Sequence, residues 1–168
     1  MSQNGALHRQ YGCMNQNTNP IARLDPWKAA PEVFKAALAL DTAVRGLGIE
    51  PKLLELIKLR ASQINGCAHC INIHFNDAVK TDESLQRLNL LPVWSETPYL
   101  YTSSERAVLR WTEALTNLPG HHVTDEDFTE ISQHFNEAEV TRITLAIATI
   151  NAWNRFGTAF RTPVTAAN

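Results

Sequence analysis

Glu50-Pro51-Lys52-Leu53-Leu54-Glu55-Leu56-Ile57-Lys58-Leu59-Arg60-Ala61-Ser62-Gln63-Ile64-Asn65-Gly66-Cys67-Ala68-His69-Cys70-Ile71-Asn72-Ile73-His74 reads as two consecutive helices separated by one short stop. Pro51 suits a first helical turn, where its missing N–H would have no partner in any case. Leu53, Leu54, Leu56, Ile57 and Leu59 make the first helix apolar on most sides, the pattern of a buried helix. Asn65-Gly66 ends it. The second helix begins at about Cys67 and continues to about Lys80.

The helical pattern extends in both directions. Upstream, Pro31 opens a helix in which Val33, Phe34, Ala37, Leu38 and Leu40 recur at helix spacing; it runs to about Val44 and ends near Gly46 and Gly48. Downstream, Thr81 to Asn89 reads as a short helix, and Leu91 to Thr102 as a loop holding Pro92, Pro98, Trp94, Tyr99 and Tyr101. Ser103 or Ser104 then caps a helix carrying Ala107, Val108, Trp111, Ala114 and Leu115. Leu118-Pro119-Gly120 breaks that helix. Thr124 followed by Asp125, Glu126 and Asp127 starts another, because acidic side chains favour the positive end of the helix dipole. Glu137 to about Arg161 forms a last, long helix with Val140, Ile143, Ala146, Ile147, Ile150 and Trp153 along one face. Alternating strand patterns of useful length are missing. The expectation is an all-α, single-domain bundle of about six to seven helices over residues 25–168, after a polar tail at 1–24. The tail carries Cys13, and Met14 within it is an alternative start.

Composition narrows the function classes. The 168 residues include 15 basic and 17 acidic side chains, a formal net charge of −2. Such a balance, without a Lys/Arg run, argues against a nucleic-acid partner. No apolar run approaches the roughly 18 residues that a membrane helix needs. The first residues lack the apolar centre of a signal peptide. These features place the protein in the cytoplasm, where closely spaced cysteines are catalytic or metal-binding rather than structural disulfides.

Cys67, Cys70 and His74 stand at i, i+3 and i+7, along one stripe of a helix. Two sulfurs at that spacing can close a disulfide with modest local adjustment. Unpaired N–H groups and the dipole at a helix start favour an anion, and so favour a thiolate. His74, one turn beyond Cys70, could pass a proton or hydrogen-bond a thiolate. Metal binding is the competing reading, but a closed zinc site takes four ligands. Cys67, Cys70 and His74 supply three; His69 would be a fourth only if it turned onto the same stripe. Neither a metal nor another cofactor is therefore expected. Glu55 has two equal readings: a core carboxylate suited to proton transfer, or a member of a solvated strip with Lys52 and Lys58, three residues away on either side. His121 and His122, after a Pro-Gly turn, read as solvated.

Glu55, Cys67-Ala68-His69-Cys70 and His74 together resemble the signature of the AhpD-like alkylhydroperoxidases of the carboxymuconolactone decarboxylase superfamily. Leu59 to Cys67 and Ile150-Asn151-Ala152-Trp153-Asn154-Arg155-Phe156 extend the likeness, which covers roughly Asp25 to Pro163. The resemblance implies an AhpD-like helical bundle and a peroxidase that reduces organic hydroperoxides. It makes Cys70 the peroxidatic cysteine and Cys67 the resolving one, with Glu55 and His74 as a proton relay and His69 as a less regular member of the site. It also implies an external dithiol reductant, a lipoyl protein or a thioredoxin-like one, and a homo-oligomer, trimeric or hexameric. A disulfide oxidoreductase or redox sensor using the same dithiol is the alternative, and a metal-binding or non-catalytic oligomer a more distant one. The decarboxylase branch lacks the cysteine pair, so the resemblance does not imply decarboxylation of a lactone acid. Helix electrostatics alone favour Cys67, nearer the helix start, as the more acidic thiol, whereas the family pattern gives peroxide attack to Cys70.

Overall fold

A computed structural model describes residues 22–120 and 122–164. Residues 1–21 of the expected tail, with Cys13 and Met14, and His121 lie outside the described residues. The α-helices are α1 (Pro26–Ala29), α2 (Pro31–Arg45), α3 (Pro51–Ile64), α4 (Ala68–Lys80), α5 (Leu85–Leu90), α6 (Ser103–Thr116), α7 (Asp125–Ser132) and α8 (Glu137–Phe160). The described residues include no strand. The all-α expectation holds, with eight α-helices among the described residues in place of six or seven. The short α1, where the Asp25 side chain accepts the N–H groups of Trp27 and Lys28, was not expected from the sequence.

α3 is the hub, and its burial follows from its sequence. The Glu50 carboxylate caps it by accepting the Leu53 N–H at 2.8 Å. Leu54 through Leu59, together with Ala61 and Ser62, are all buried. Leu56 and Leu59 face a cluster with Leu88, Leu91, Tyr101 and Leu109. Ile57 faces another with Val108, Ile131, Val140, Ile143 and Ile147. Burial on several faces requires packing on several sides, and α4, α6 and α8 all lie against α3. No helix among the described residues is long and apolar enough to cross a membrane.

Two local expectations are corrected. The cap of α6 is Thr102, not Ser103 or Ser104: its side chain accepts the Glu105 N–H, and Glu105 accepts the Thr102 N–H in return. Only Thr102 stands three residues before a glutamate, the spacing that a reciprocal cap needs. The stretch from Leu91 to Thr102 is not plain loop but holds two 3-10 segments, Leu91–Glu96 and Pro98–Leu100. It is packed down: the Tyr101 hydroxyl donates to the Arg87 carbonyl at 2.6 Å, and the Trp94 indole donates to Glu113 at 2.7 Å.

α8 starts as the sequence predicts, with a reciprocal cap between Asn136 and Glu139 at 2.9 and 3.0 Å. Asn136→Ala removes the side-chain half of it and should cost about 1 kcal/mol. The check is urea unfolding, where the midpoint should fall at unchanged slope.

Candidate active site at the start of α4

Gly66, with φ of 65°, turns the chain out of α3 in a conformation that suits glycine. Cys67 follows with extended φ/ψ as the N-cap of α4, so the second helix starts one residue later than expected. The Cys67 sulfur accepts the backbone N–H of Cys70 at 3.4 Å, the position that a serine or aspartate oxygen takes at other helix starts. Both cysteines are buried, at 1 % and 5 % exposure. Cys67 is the stronger acid. Its thiol is pushed down to about 7, first because the Cys70 side chain donates to it, and then by the N–H groups of Cys70 and His69 and by Asn154, against the opposing effect of burial. Cys70 is pushed upward, because its proton is held in the hydrogen bond to Cys67 and because burial disfavours its charge.

His74 and Glu55 meet across the α3–α4 interface, with Nδ1 of His74 2.8 Å from Oε2 of Glu55. Both are buried, at 7 % and 4 %, so the solvated-strip reading of Glu55 is set aside. Lys58 cannot carry Glu55 to water because it is itself buried, at 1 %. Its ammonium lies 4.0 Å from Oε1 of Glu55 and 3.4 Å from Oδ1 of Asp41. Arg45 completes the group, its Nε donating to Asp41 at 2.9 Å and its Nη1 3.9 Å from Oε1 of Glu55. Burial works against ionisation of Asp41, but Arg45 and Lys58 outweigh it and hold that carboxyl below its ordinary range. Lys52 does reach the surface, where it donates to the Asp82 carbonyl.

The two halves face one cavity of about 240 Å³, walled by Trp27, Phe34, Trp153 and Phe156 and floored by Cys70, His74, Asp41 and Arg45. Cys67 is not among its lining residues. α8 reaches the sulfurs through Gly157, itself on the cavity lining, where a Cβ would lie 2.5 Å from the Cys67 sulfur and 3.4 Å from that of Cys70. His69 lines the same cavity, but its Nδ1 is 2.7 Å from the Pro163 carbonyl, engaged with the chain end rather than with the cysteine stripe. Glu55, His74 and Asp77 have donor atoms within 4.8 Å of one another. A cation there would stand beside the carboxylate that Lys58 and Arg45 already face.

Sequence reasoning missed Lys58, Asp41, Arg45, Asn154 and Gly157 as parts of the site. Two of them left a signal. Lys58 interrupts Leu56-Ile57-Leu59 one turn after Glu55. Gly157 stands inside a long helix, where glycine costs about 1 kcal/mol relative to alanine.

Two outcomes follow from this geometry. Lys58→Met leaves a buried carboxylate short of its partner and should cost about 3 kcal/mol. Combining it with Glu55→Gln should recover part of that loss in a denaturant titration. The thiolate absorbance of the reduced protein should rise with a midpoint near pH 7, from Cys67. Because the folded thiol is the stronger acid, its contribution to stability grows as pH rises from about 7 toward 9 and is lost on acidification through 7. A Cys67→Ser variant should lack both effects.

Residues 31–114 match the sequence profile of the carboxymuconolactone decarboxylase family. The uncharacterized protein YdfG of Bacillus subtilis is 36% identical over 137 residues, 82% of this chain and 92% of that one. A crystal structure from Agrobacterium tumefaciens, of a protein of unknown function named as a candidate AhpD antioxidant defence protein, superposes with a TM-score of 0.85. It is 41% identical and covers 87% of this chain and 99% of its own. The debrominase Bmp8 superposes with a TM-score of 0.74 at 23% identity, over 83% of this chain and 74% of its own, a likeness of fold alone.

Proposed function

The chain belongs to the carboxymuconolactone decarboxylase family, among its AhpD-like members, and from that premise we propose that it is a thiol-dependent peroxidase reducing organic hydroperoxides through a Cys67–Cys70 dithiol–disulfide cycle. The observation that carries this reading is the division of labour between the sulfurs. Cys70 faces an apolar cavity beside His74, while Cys67 lies behind it as the stronger acid and accepts its hydrogen bond.

That division is compatible with both helix electrostatics and the family pattern. The more acidic cysteine need not be the attacking one. Cys67, as thiolate, takes the proton from the neighbouring Cys70 thiol. The Cys70 thiolate then attacks the distal oxygen of the hydroperoxide; an S–O bond forms, the O–O bond breaks, and the alkoxide leaves as the alcohol after protonation. His74, oriented by Glu55, stands on the cavity to deliver that proton. Cys70 is now a sulfenic acid. Cys67, its proton passed on through the same relay or to water, attacks the Cys70 sulfur, and hydroxide departs as water. Two thiols and one hydroperoxide have become one disulfide, one alcohol and one water. An external dithiol, a lipoyl or thioredoxin-like group, returns the pair to the reduced state by exchange. The aromatic walls and the mutual neutralisation of Asp41 and Glu55 by Arg45 and Lys58 suit an uncharged, apolar hydroperoxide. Assembly as a trimer or hexamer belongs to the same proposal.

A disulfide oxidoreductase is the second reading, favoured by the acidity of Cys67 at the first position of the pair. Its burial behind Cys70 weighs against it, since exchange with a protein disulfide needs access.

Cys70→Ser should abolish peroxide turnover, whereas Cys67→Ser, lacking the base as well as the resolving thiol, should accumulate one sulfenic acid per chain on Cys70 at a reduced rate, read by dimedone labelling and peptide mass. A sulfenic acid on Cys67 in the Cys70→Ser protein would reverse the two roles. Glu55→Gln should slow peroxide-dependent disulfide formation about 10²-fold with the thiol count unchanged.

A further inference from the structure

α8 approaches the two sulfurs with residues one turn apart on the same face, Asn154 and Gly157. Gly157 makes room; Asn154, 1 % exposed, fills the space beside it. The orientation of its carboxamide is fixed by its neighbours. Asn65 Nδ2 donates to Asn154 Oδ1 at 2.9 Å, which identifies the oxygen end. Asn154 Nδ2 donates one hydrogen to the Ser62 hydroxyl at 3.0 Å. Ser62 cannot reverse that bond, because its own hydrogen goes to the Lys58 carbonyl at 2.7 Å. Asn65 Nδ2 shares its two hydrogens among Asn154 Oδ1, the Ala61 carbonyl and Asn151 Oδ1, and the Ala61 carbonyl fixes which end of Asn65 is the nitrogen. One N–H of Asn154 remains, and one turn along the same face a Cβ at Gly157 would lie 2.5 Å from the Cys67 sulfur and 3.4 Å from that of Cys70, so the two sulfurs are the buried acceptors on that side, and Asn154 works to lower the pKa of both thiols.

We propose that Asn154 is a catalytic residue: its second carboxamide N–H is a fixed donor to the thiolate on either cysteine. The inference rests on the peroxidase reading for its part in turnover. Negative charge moves between the sulfurs over that cycle, on Cys67 at rest, on Cys70 during attack and on Cys67 again during resolution. A donor within reach of both serves each step without moving, and needs no reorganisation when the charge shifts. The α4 N–H groups serve Cys67 at the helix start; Asn154 comes from another helix and reaches both.

The test compares Asn154→Leu, which deletes the donor, with Asn154→Asp, which keeps size and the acceptor for Asn65 but replaces the amide nitrogen with an oxygen. Thiolate absorbance against pH should show the midpoint near 7 moving up by about one pH unit in the first, a tenfold change in the thiolate equilibrium, and further in the second. Disulfide formation with cumene hydroperoxide should fall about tenfold at neutral pH in Asn154→Leu and recover at alkaline pH, a rescue that a merely structural role would not give. An unchanged midpoint in either folded variant overturns the proposal. If neither variant folds, the nitrogen–proton resonance of the Asn154 side chain in the unaltered protein decides: it should shift with the thiolate midpoint, and a resonance indifferent to pH and to oxidation overturns the role. A shifted midpoint in a protein that consumes no peroxide would sustain Asn154 as the thiolate donor while removing the peroxidase reading.

Discussion

A carboxylate and an ammonium taken out of water each cost several kcal/mol unless partners are supplied, and α3 buries one of each a single turn apart. Glu55 and Lys58 therefore set requirements on every neighbour. α2 must bring Asp41 and Arg45 to them, and α4 must present His74 to the remaining carboxylate oxygen. The group links three helices through contacts that fail together if one member is lost. An apolar replacement of similar volume would pack with less difficulty, which points to a use for these charges beyond stability. Of the group's members, His74 lines the cavity that Cys70 also lines.

The cysteines answer a different constraint. Two identical thiols must be made unequal if one is to attack and the other to follow. Their own contact does most of this, lowering Cys67 and raising Cys70, and placement on the cap adds the N–H groups of Cys70 and His69 to Cys67. α8 then packs against the pair, with a glycine where a side chain would collide with sulfur. Cys70 lines the cavity and Cys67 does not. Acidity and exposure are thus divided between the two residues.

Much of this was legible in the sequence, and the limits have physical causes. The starts and stops of α2, α3, α4 and α8 depend on residues within one turn of each boundary, so Pro31, Pro51, Asn65-Gly66 and Glu137 could be read directly. The Cys67, Cys70 and His74 stripe is likewise a matter of helix period. Glu55 could not be assigned a face, because lysines at three residues on either side fit a surface strip as well as a buried pair. The choice depends on α4, α6 and α8 closing around α3, which no local pattern reports. Asp41 is seventeen residues from Lys58, and Pro163 is ninety-four from His69; such partners come from the return of the chain. The cap at Thr102 was open to reading, since the spacing to Glu105 is local, but two serines beside it offered the same chemistry.

The fold is shared with a debrominase, so architecture alone does not choose a reaction; the dithiol and its surroundings must. The most direct measurement is stopped-flow mixing of the fully reduced protein with cumene hydroperoxide, with free thiols counted before and after. The account predicts rapid loss of two thiols per chain, one alcohol formed for each disulfide, and full recovery of the thiols on treatment with a dithiol. Slow or absent loss with this peroxide, alongside rapid exchange with lipoamide disulfide, would contradict it and leave a disulfide oxidoreductase in its place.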